Sequence, residues 1–194
     1  NGKERIPIKI FGNHNLQNIS GAKELLKKVG ISSEQFYKAI QSFEGAAGRL
    51  EKVKETGSSA VFKDYAHAPS KVKASVRAVK ELYPNREVVP CLELHTFSSL
   101  NKTYLPQYKD SLKGLSHAIV FFDPEKVKAK NLGALTEADI KGAFGSNTLK
   151  VFEDAKKLED YLLTQNWANK NLLMMSSGNF AGFNIKTLAD KILA

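Results

Sequence analysis

Polar side chains of types that bind ligands recur directly after the apolar segments of this sequence. Asp64 and His67 follow one apolar segment, His95 and Ser98 follow a second, and Ser176 follows a third. A carboxylate accepts hydrogen bonds from ribose hydroxyls or metal-bound water, and an imidazole can bind a carboxylate. The carboxyl ends of parallel strands meet at one edge of a sheet, and ligands gather there. If the apolar segments are parallel strands, these side chains therefore line one ligand-binding rim.

Further residues have suitable chemistry, although each also has an ordinary structural role. Arg49 can form paired, charge-assisted hydrogen bonds to a phosphate, but an exposed arginine is more often merely solvated. Asn15 can pair with the edge of a nucleotide base, but an asparagine that opens a helix is first of all a cap. His14, His67 and His95 lack the spacing of zinc ligands, so the sequence predicts no metal site formed by them.

The first 46 residues are predicted to form one strand and two helices. Residues 5–11 form a strand-like segment, apolar positions follow helical spacing over 15–29, and Ser32 with Gln35 forms a capping box for a second helix. Four small residues, Gly-Ala-Ala-Gly at 45–48, then free the backbone without offering side chains to pack. They predict a hinge between one domain at 1–46 and another at 47–194. Because the chain begins with Asn-Gly rather than methionine, we expect its start to be internal to a longer protein.

The second domain shows an alternation of strands and helices that is typical of a parallel sheet. A hairpin is expected first, from residues 49–55 and 58–65. This pattern predicts an α/β fold, namely a Rossmann-like, mostly parallel sheet with helices on both faces. The expected elements that follow are helix 69–83, strand 87–94, helix 104–115, strand 118–122, helix 136–144, strand 149–152, helix 154–163, strand 171–176 and helix 185–193.

Composition narrows the class of protein further. The 194 residues are 42% apolar, which is enough to bury a core, and a single cysteine excludes an internal disulfide framework. With no signal-like start and no apolar run of about 20 residues, a cytoplasmic protein that does not cross a membrane is expected. The net charge of +9 is compatible with a nucleic-acid surface, but the basic residues alternate with acidic ones in helical patterns. Solvated helix faces are the better interpretation of this charge.

Four segments, taken in order, resemble motifs of the Mur ligase family. Residues 11–18 resemble G-x-H-N-x-x-N, residues 43–51 resemble the hinge F-x-G-x-x-R-R-[FL]-E, and residues 64–69 resemble D-Y-A-H-x-P. Residues 176–183 are similar to the S-N-G-G-F-G-G-I segment of the murein peptide ligases within that family. The order and separation of these strings make coincidence improbable. The resemblance implies that 1–46 is the end of a central ATPase domain and that 47–194 is a mobile C-terminal domain.

This resemblance implies an ATP-dependent reaction that proceeds through an acyl phosphate. In the family, ATP and Mg²⁺ activate a carboxylate, and the C-terminal domain closes over ATP and delivers an amine. The sequence contains no G-x-x-x-x-G-K-[ST] phosphate-binding string, so this chain alone is expected to be inactive, and most Mg²⁺ ligands are expected in the missing domains. The implied partners are UDP-N-acetylmuramic acid and a peptide or amino-acid acceptor, with no nucleic acid.

Residue by residue, the resemblance assigns two groups of site residues. The family hinge often has two arginines; this chain has Gly48 in the first place, which leaves only Arg49 for the phosphates. On sequence alone, Asp64 remains an ordinary strand-end residue and His67 a satisfied rim residue. The residues matched to ATP are His14, Asn15, Arg49 and Asp64, and those matched to the acceptor are Tyr65, His67, His95 and Ser98.

The acceptor is the open question within the family. The alanine-adding ligases typically have H-x-Y-[ST]-R-T, with arginines near the alanine carboxylate, where this chain has His-Thr-Phe-Ser-Ser-Leu at 95–100. Both of the positions that carry those arginines are lost in this chain. With the glycine-rich segment at 176–183, this favours the recycling ligase, which joins L-alanyl-γ-D-glutamyl-meso-diaminopimelate to UDP-N-acetylmuramic acid. The L-alanine ligase remains the alternative. A basic nucleic-acid-binding module and a dinucleotide-dependent oxidoreductase are less well supported, the latter because no G-x-G-x-x-G turn follows a strand.

Overall fold

Two helices dominate the first of the two units into which the chain divides, between Ala47 and Gly48. The computed structural model describes residues 5–194. Helix α1 spans Asn13–Lys28 and helix α2 spans Ser33–Ile40, and the predicted capping box of Ser32 and Gln35 is present at the start of α2. Both helix predictions are confirmed. The strand expected over 5–11 is wrong for these residues, because a strand requires a hydrogen-bonded neighbour and this segment pairs with none of the six described strands.

A six-stranded sheet forms the centre of the second unit. Its order is β1-β2-β6-β3-β4-β5; β1 runs antiparallel to β2, and the other neighbours are parallel. The last strand along the chain, β6, lies between β2 and β3. The strands are β1 Glu51–Glu55, β2 Ala60–Asp64, β3 Glu87–Leu94, β4 Ile119–Phe122, β5 Lys150–Phe152 and β6 Lys170–Met175.

Helices cover both faces of this sheet, which confirms the predicted α/β fold. On one face, α7 (Ala155–Thr164) and α8 (Ile185–Ile192) pack against Val61, Cys91 and Met174. The alternate strand residues point to the other face, where α3 (Pro69–Leu82) packs on β3 and β6 and α6 (Glu137–Phe144) packs on β5. Two short helices follow β3 and β4, α4 (Phe97–Leu100) and α5 (Pro124–Ala129). Within residues 5–194, no helix is both long and apolar enough to cross a membrane.

The helix predicted over 104–115 is replaced by one turn of 3-10 helix, Leu105–Tyr108, followed by turns. The apolar spacing is helical, but Asp110 and Gly114 have positive φ angles of 62° and 74°, which a right-handed helix does not allow. Tyr108 is buried, and its ring stacks on that of Phe144 at 5.0 Å between centroids. Tertiary packing of this tyrosine therefore outweighs the local helical pattern.

Cys91 is predicted to be unreactive in the folded protein. It is fully buried on β3, and burial raises the pKa of its thiol well above the usual range. We expect a thiol reagent at pH 8 to leave the native chain unlabelled and to label it stoichiometrically in denaturant, as mass spectrometry will show. Rapid labelling without denaturant would contradict the burial of this strand.

Asp139 is predicted to make stability depend on pH in the acid range. The Lys102 ammonium and the Thr136 hydroxyl hold the pKa of this carboxyl at about 2, below its ordinary value of 3.8. Because the folded-state pKa is the lower one, the stabilisation is complete above pH 4 and is lost as the pH falls towards 2. Asp139→Asn should therefore cost about 1 kcal/mol at pH 6 and much less near pH 2.5, measured by urea unfolding. Asp160→Asn, in the exposed ion pair with Lys156, is the matched control.

Candidate functional site

The candidate residues lie in loops that follow four of the five parallel strands, at the carboxyl edge of the sheet. β2, β6, β3 and β4 end at Asp64, Met175, Leu94 and Phe122. Because these strands are parallel neighbours, the loops beginning at residues 65, 176, 95 and 123 lie on one edge in that order. We call this edge the rim. It brings together the predicted residues Asp64, Tyr65, His67, His95 and Ser98.

Arg49, Tyr65 and His67 form a stack at the rim. The Arg49 guanidinium lies 4.5 Å from the centroid of the Tyr65 ring, and the Tyr65 and His67 rings meet edge to face at 5.2 Å. His67 Nδ1 is 2.9 Å from the Tyr65 carbonyl oxygen, which fixes the imidazole. Arg49 is exposed and Tyr65 is 43% exposed. The stack therefore presents a cation and an aromatic edge to solvent while its backbone is anchored.

Asp64 is buried and stabilises the turn that carries Arg49. Its Oδ1 accepts a hydrogen bond from the Leu50 amide at 3.3 Å, and its Oδ2 accepts one from the Ser75 hydroxyl of α3. Leu50 has a positive φ of 51°, a strained conformation for a branched residue. The Tyr65 amide also donates to the Gly48 carbonyl at 2.8 Å. Both carboxylate oxygens of Asp64 thus already hold the Arg49 turn and α3 together.

A cleft of 520 Å³ opens beside Asp64. Strands β1 and β2 form one wall, and the loop 176–183 with the start of α8 forms the other. Lys63 and Lys186 line it, and Lys52 does so while paired with Glu55, whose carboxylate raises the pKa of that ammonium. Glu51 and Asp64 also line the cleft, so it presents charges of both signs to a ligand.

Glu93 is a functional candidate that we did not predict from the sequence. It lies on β3 and is 1% exposed. Its Oε2 accepts hydrogen bonds from the Ser176 hydroxyl and, at 2.8 Å, from the Phe180 amide. The same loop contains positive φ angles at Phe180, Ala181 and Gly182, so its shape is strained and depends on this anchor. A glutamate inside the apolar strand sequence Val-Val-Pro-Cys-Leu-Glu-Leu was the available signal.

Lys126 is a second residue that the sequence did not indicate. It extends from α5, and its Nζ lies 3.2 Å from His95 Nδ1 and 3.9 Å from Glu93 Oε1. His95 Nδ1 in turn lies 3.4 Å from Glu93 Oε1. Ser98 is exposed on α4, whose first turn is capped by Thr96. The rim beyond β3 therefore contains a carboxylate, an imidazole and an ammonium in contact.

Comparison with known proteins assigns the fold and its family. Residues 48–178, more than half of the chain, match the family model described as "Mur ligase, glutamate ligase domain". The chain belongs to the Mur ligase family. A UDP-N-acetylmuramate–L-alanine ligase of Caldicellulosiruptor bescii is 34% identical over 131 residues, which are 68% of this chain and 28% of that protein. The chain thus spans about a third of the curated relatives it matches.

Solved Mur ligase structures share the fold of this chain. The UDP-N-acetylmuramate–alanine ligase of Thermotoga maritima superposes with a TM-score of 0.68 at 17% identity, covering 96% of this chain and 38% of that one. A murein peptide ligase of Psychrobacter arcticus gives a TM-score of 0.63 at 19% identity, covering 96% and 37%. At these identities the likeness shows the architecture.

The remaining predicted residues of this Mur ligase chain, His14 and Asn15, lie in the first unit. Asn15 is not the helix cap, which is Gly12; its side-chain amide donates to the Phe11 carbonyl at 2.9 Å. His14 is partly exposed in the first turn of α1. Across residues 5–194, no three His, Cys, Asp or Glu side chains are arranged to hold a metal ion.

Proposed function

We propose that this chain is the C-terminal part of an ATP-dependent ligase that forms an amide bond on UDP-N-acetylmuramic acid in peptidoglycan recycling. Its second unit is the lid that closes over ATP and presents the acceptor amine. The single observation that carries this proposal is the anchored stack of Arg49, Tyr65 and His67 at the rim of a Mur ligase domain. It places an exposed guanidinium group beside a rim whose side chains could bind an amine substrate.

The chemistry explains why a lid is needed. A carboxylate does not react with an amine, because hydroxide is a poor leaving group. ATP transfers its γ-phosphoryl group to the carboxylate, the amine then attacks the acyl carbon, and phosphate leaves. Arg49 would bind the phosphate oxygens, and closure of the lid would exclude water from the acyl phosphate. The rim residues bind and orient, and they do not form covalent intermediates.

Some of the described residues have side chains suited to binding ATP, and few have side chains suited to binding Mg²⁺. Arg49 is exposed and has the planar donors that phosphates require, and we propose His14 and Asn15 for the adenine. Asp64 lines the lysine-rich cleft, although both its oxygens are engaged within the protein. Because the sequence contains no G-x-x-x-x-G-K-[ST] string, we propose that the phosphate-binding loop and, as the family resemblance implies, most Mg²⁺ ligands lie in other domains of a longer protein.

The first unit supports a longer protein of this kind. Leu16, Leu25 and Val29 of α1 and its end are 43%, 69% and 70% exposed. Leu25 and Val29, four residues apart, lie on one side of the helix, and an exposed apolar pair of this kind suits a surface that is covered in the complete protein. We therefore propose that residues 1–46 are the end of the central ATPase domain and that 47–194 are the lid. Such an enzyme uses nucleotides of the cytoplasm, and we place it there.

The tripeptide L-alanyl-γ-D-glutamyl-meso-diaminopimelate is the acceptor that we propose. The absence of arginine from residues 95–100, where alanine-adding ligases have a motif with arginine, and the glycine-containing loop 176–183 support it. L-Alanine is the second candidate, favoured by the curated relatives named UDP-N-acetylmuramate–L-alanine ligase.

The test is a ligation assay with the full-length protein. We expect phosphate release and a product of matching mass with ATP, Mg²⁺, UDP-N-acetylmuramic acid and the tripeptide. Turnover with L-alanine but not with the tripeptide would show that L-alanine is the acceptor. No turnover with either acceptor would refute the ligase proposal. A strong mobility shift with DNA or RNA at physiological salt would instead favour the nucleic-acid module, and we expect none.

A further inference from the structure

One oxygen of the buried Glu93 carboxylate has no hydrogen-bond donor among the described residues 5–194. Oε2 is occupied by the loop 176–183, whereas Oε1 is buried and has no partner in that part of the chain. The nearest cationic group is Lys126, with Nζ 3.9 Å from Oε1. Burying a carboxylate oxygen without a hydrogen bond is unfavourable, so a neighbouring positive charge is strongly favoured. Glu93 therefore holds the Lys126 ammonium at the rim.

One side of the Lys126 ammonium group contacts His95 and Glu93, and the other side is open to solvent. One of its three N–H groups can donate to His95 Nδ1 at 3.2 Å, and a second faces Glu93 Oε1. Its side chain and that of His95 are both 29% exposed. When Nδ1 accepts a hydrogen bond from the Lys126 ammonium, a neutral His95 carries its own proton on Nε2. Within residues 5–194, Nε2 has no hydrogen-bond partner, so the cluster retains two unused N–H donors.

The loop 176–183 is shaped to admit the imidazole at this place. A Cβ atom at Gly178 would lie 2.5 Å from His95 Nδ1 and 2.7 Å from its Cγ. Only a residue without a side chain allows the ring to rest against the loop. The Gly178 amide also donates to the Ser176 hydroxyl at 2.7 Å, which in turn binds Glu93. The loop 176–183, the Glu93 carboxylate and the His95 imidazole therefore pack directly against one another.

The charge of this cluster selects the kind of anion it can bind. The negative charge of Glu93 offsets the positive charge of Lys126, so the cluster is neutral when His95 is neutral. A neutral cluster with one cationic and one neutral donor suits a singly charged anion with two oxygens, such as a carboxylate. A polyphosphate would require a net positive site.

We propose that Lys126, positioned by Glu93 and His95, binds a carboxylate of the acceptor and so selects an amine substrate that carries one. The identification of the ligand as the acceptor rests on the proposed ligase function. Lys126 Nζ and His95 Nε2–H each donate to one oxygen of that carboxylate. This contact fixes the distance between the acceptor and the rim, and the acceptor amine is thereby aligned.

The test is a two-dimensional NMR titration of this chain with the tripeptide and with the same tripeptide whose carboxylates are amidated. We expect saturable shifts at the amides of residues 95 and 126 with the acid, at Kd values in the millimolar range, and at least tenfold weaker binding of the amide. Inorganic phosphate, as a third probe, should bind at least tenfold more weakly than the acid.

Three variants isolate the role of the ammonium group. Lys126→Met should weaken binding of the acid by about tenfold or more and leave binding of the amide unchanged, whereas Lys126→Arg should retain most of the affinity. Lys128→Met is the matched control on the same helix, because Lys128 is exposed and paired with Glu125 at 2.6 Å. Long-range ¹H–¹⁵N spectra of the His95 ring should show the proton on Nε2 in the parent and a changed tautomer balance in Lys126→Met.

Several results would overturn the proposal. These are equal affinity for acid and amide, equal effects of Lys126→Met and Lys128→Met, phosphate binding as tight as the acid, or no shifts up to about 20 mM acid. A full-length protein that ligates normally with an unchanged acceptor KM in Lys126→Met also refutes this role, while the ligase proposal stands. A full-length protein without ligase activity refutes the proposed function instead, and the titration still decides whether Lys126 binds a carboxylate.

Discussion

Replacement of Arg49 by alanine should lower the turnover of the full-length ligase by about 100-fold, with a change of less than about 1 kcal/mol in the free energy of unfolding. The guanidinium is exposed, and its packing contact is the Tyr65 ring at 4.5 Å, an interaction worth little at a solvated site. A group that binds developing charge on phosphate, by contrast, contributes mainly to the transition state. Initial rates of phosphate release and urea unfolding of the same preparations measure the two effects.

Arg77→Ala is the control for this experiment. Arg77 is an exposed arginine of the same unit, on α3, and its partner is Glu81 at 2.6 Å. Its replacement should change neither turnover nor stability appreciably. Arg49→Lys should restore part of the rate, because it keeps the charge without the planar pair of donors. Normal turnover of a correctly folded Arg49→Ala protein would remove this residue from the site.

Replacement of Glu93 by alanine should lower the free energy of unfolding by about 3 kcal/mol. The variant leaves the Phe180 amide and the Ser176 hydroxyl without their acceptor, and it leaves Lys126 beside a cavity in place of a carboxylate. The strained backbone at Phe180 and Ala181 then loses the bond that holds it. Urea unfolding and hydrogen exchange of the Phe180 amide, which should accelerate sharply, measure the loss.

The same strand provides the control for Glu93. Glu87 begins β3 and is half-buried, with its carboxylate 2.5 Å from His117 at the surface. Glu87→Ala should cost less than about 1 kcal/mol, and Glu93→Gln, which keeps one oxygen acceptor, should lie between the two. Equal stability of the two alanine variants would show that the Glu93 network contributes nothing beyond the surface pair.

The sequence predicted the elements of the second unit because each carries its own periodic pattern. The bounds of β3 agree with the expected strand 87–94, and α6 and α7 begin one residue after the expected helices 136–144 and 154–163, with Thr136 and Asp154 as their caps. The failure at 104–115 has a physical cause, since helical spacing of apolar residues does not reveal a positive φ at Asp110. The local sequence pattern thus shows which positions of a segment are apolar, while tertiary contacts determine the conformation of its backbone.

The expected parallel sheet brought residues 64–67 and 95–98 onto one rim, but the sequence did not predict the side-chain contacts between residues far apart in the chain. Asp64, Tyr65 and His67 form one short string, and the structure shows how Arg49 reaches Tyr65. His95 and Lys126 are 31 residues apart and follow two neighbouring parallel strands, so no local sequence pattern predicts their contact. Glu93 was missed for a related reason: a lone charge in an apolar strand shows its purpose only when its partners, Ser176 and Phe180, are known.

The position of β6 has a consequence for how this protein is made. Residues 170–175 form the strand between β2 and β3, so the two halves of the sheet cannot join before that stretch of chain has been synthesised. During translation the nascent second unit therefore exposes two unpaired strand edges until residues 170–175 emerge from the ribosome. A premature stop before residue 170 should give an aggregation-prone product rather than a smaller folded domain, and the cell is expected to clear it by proteolysis.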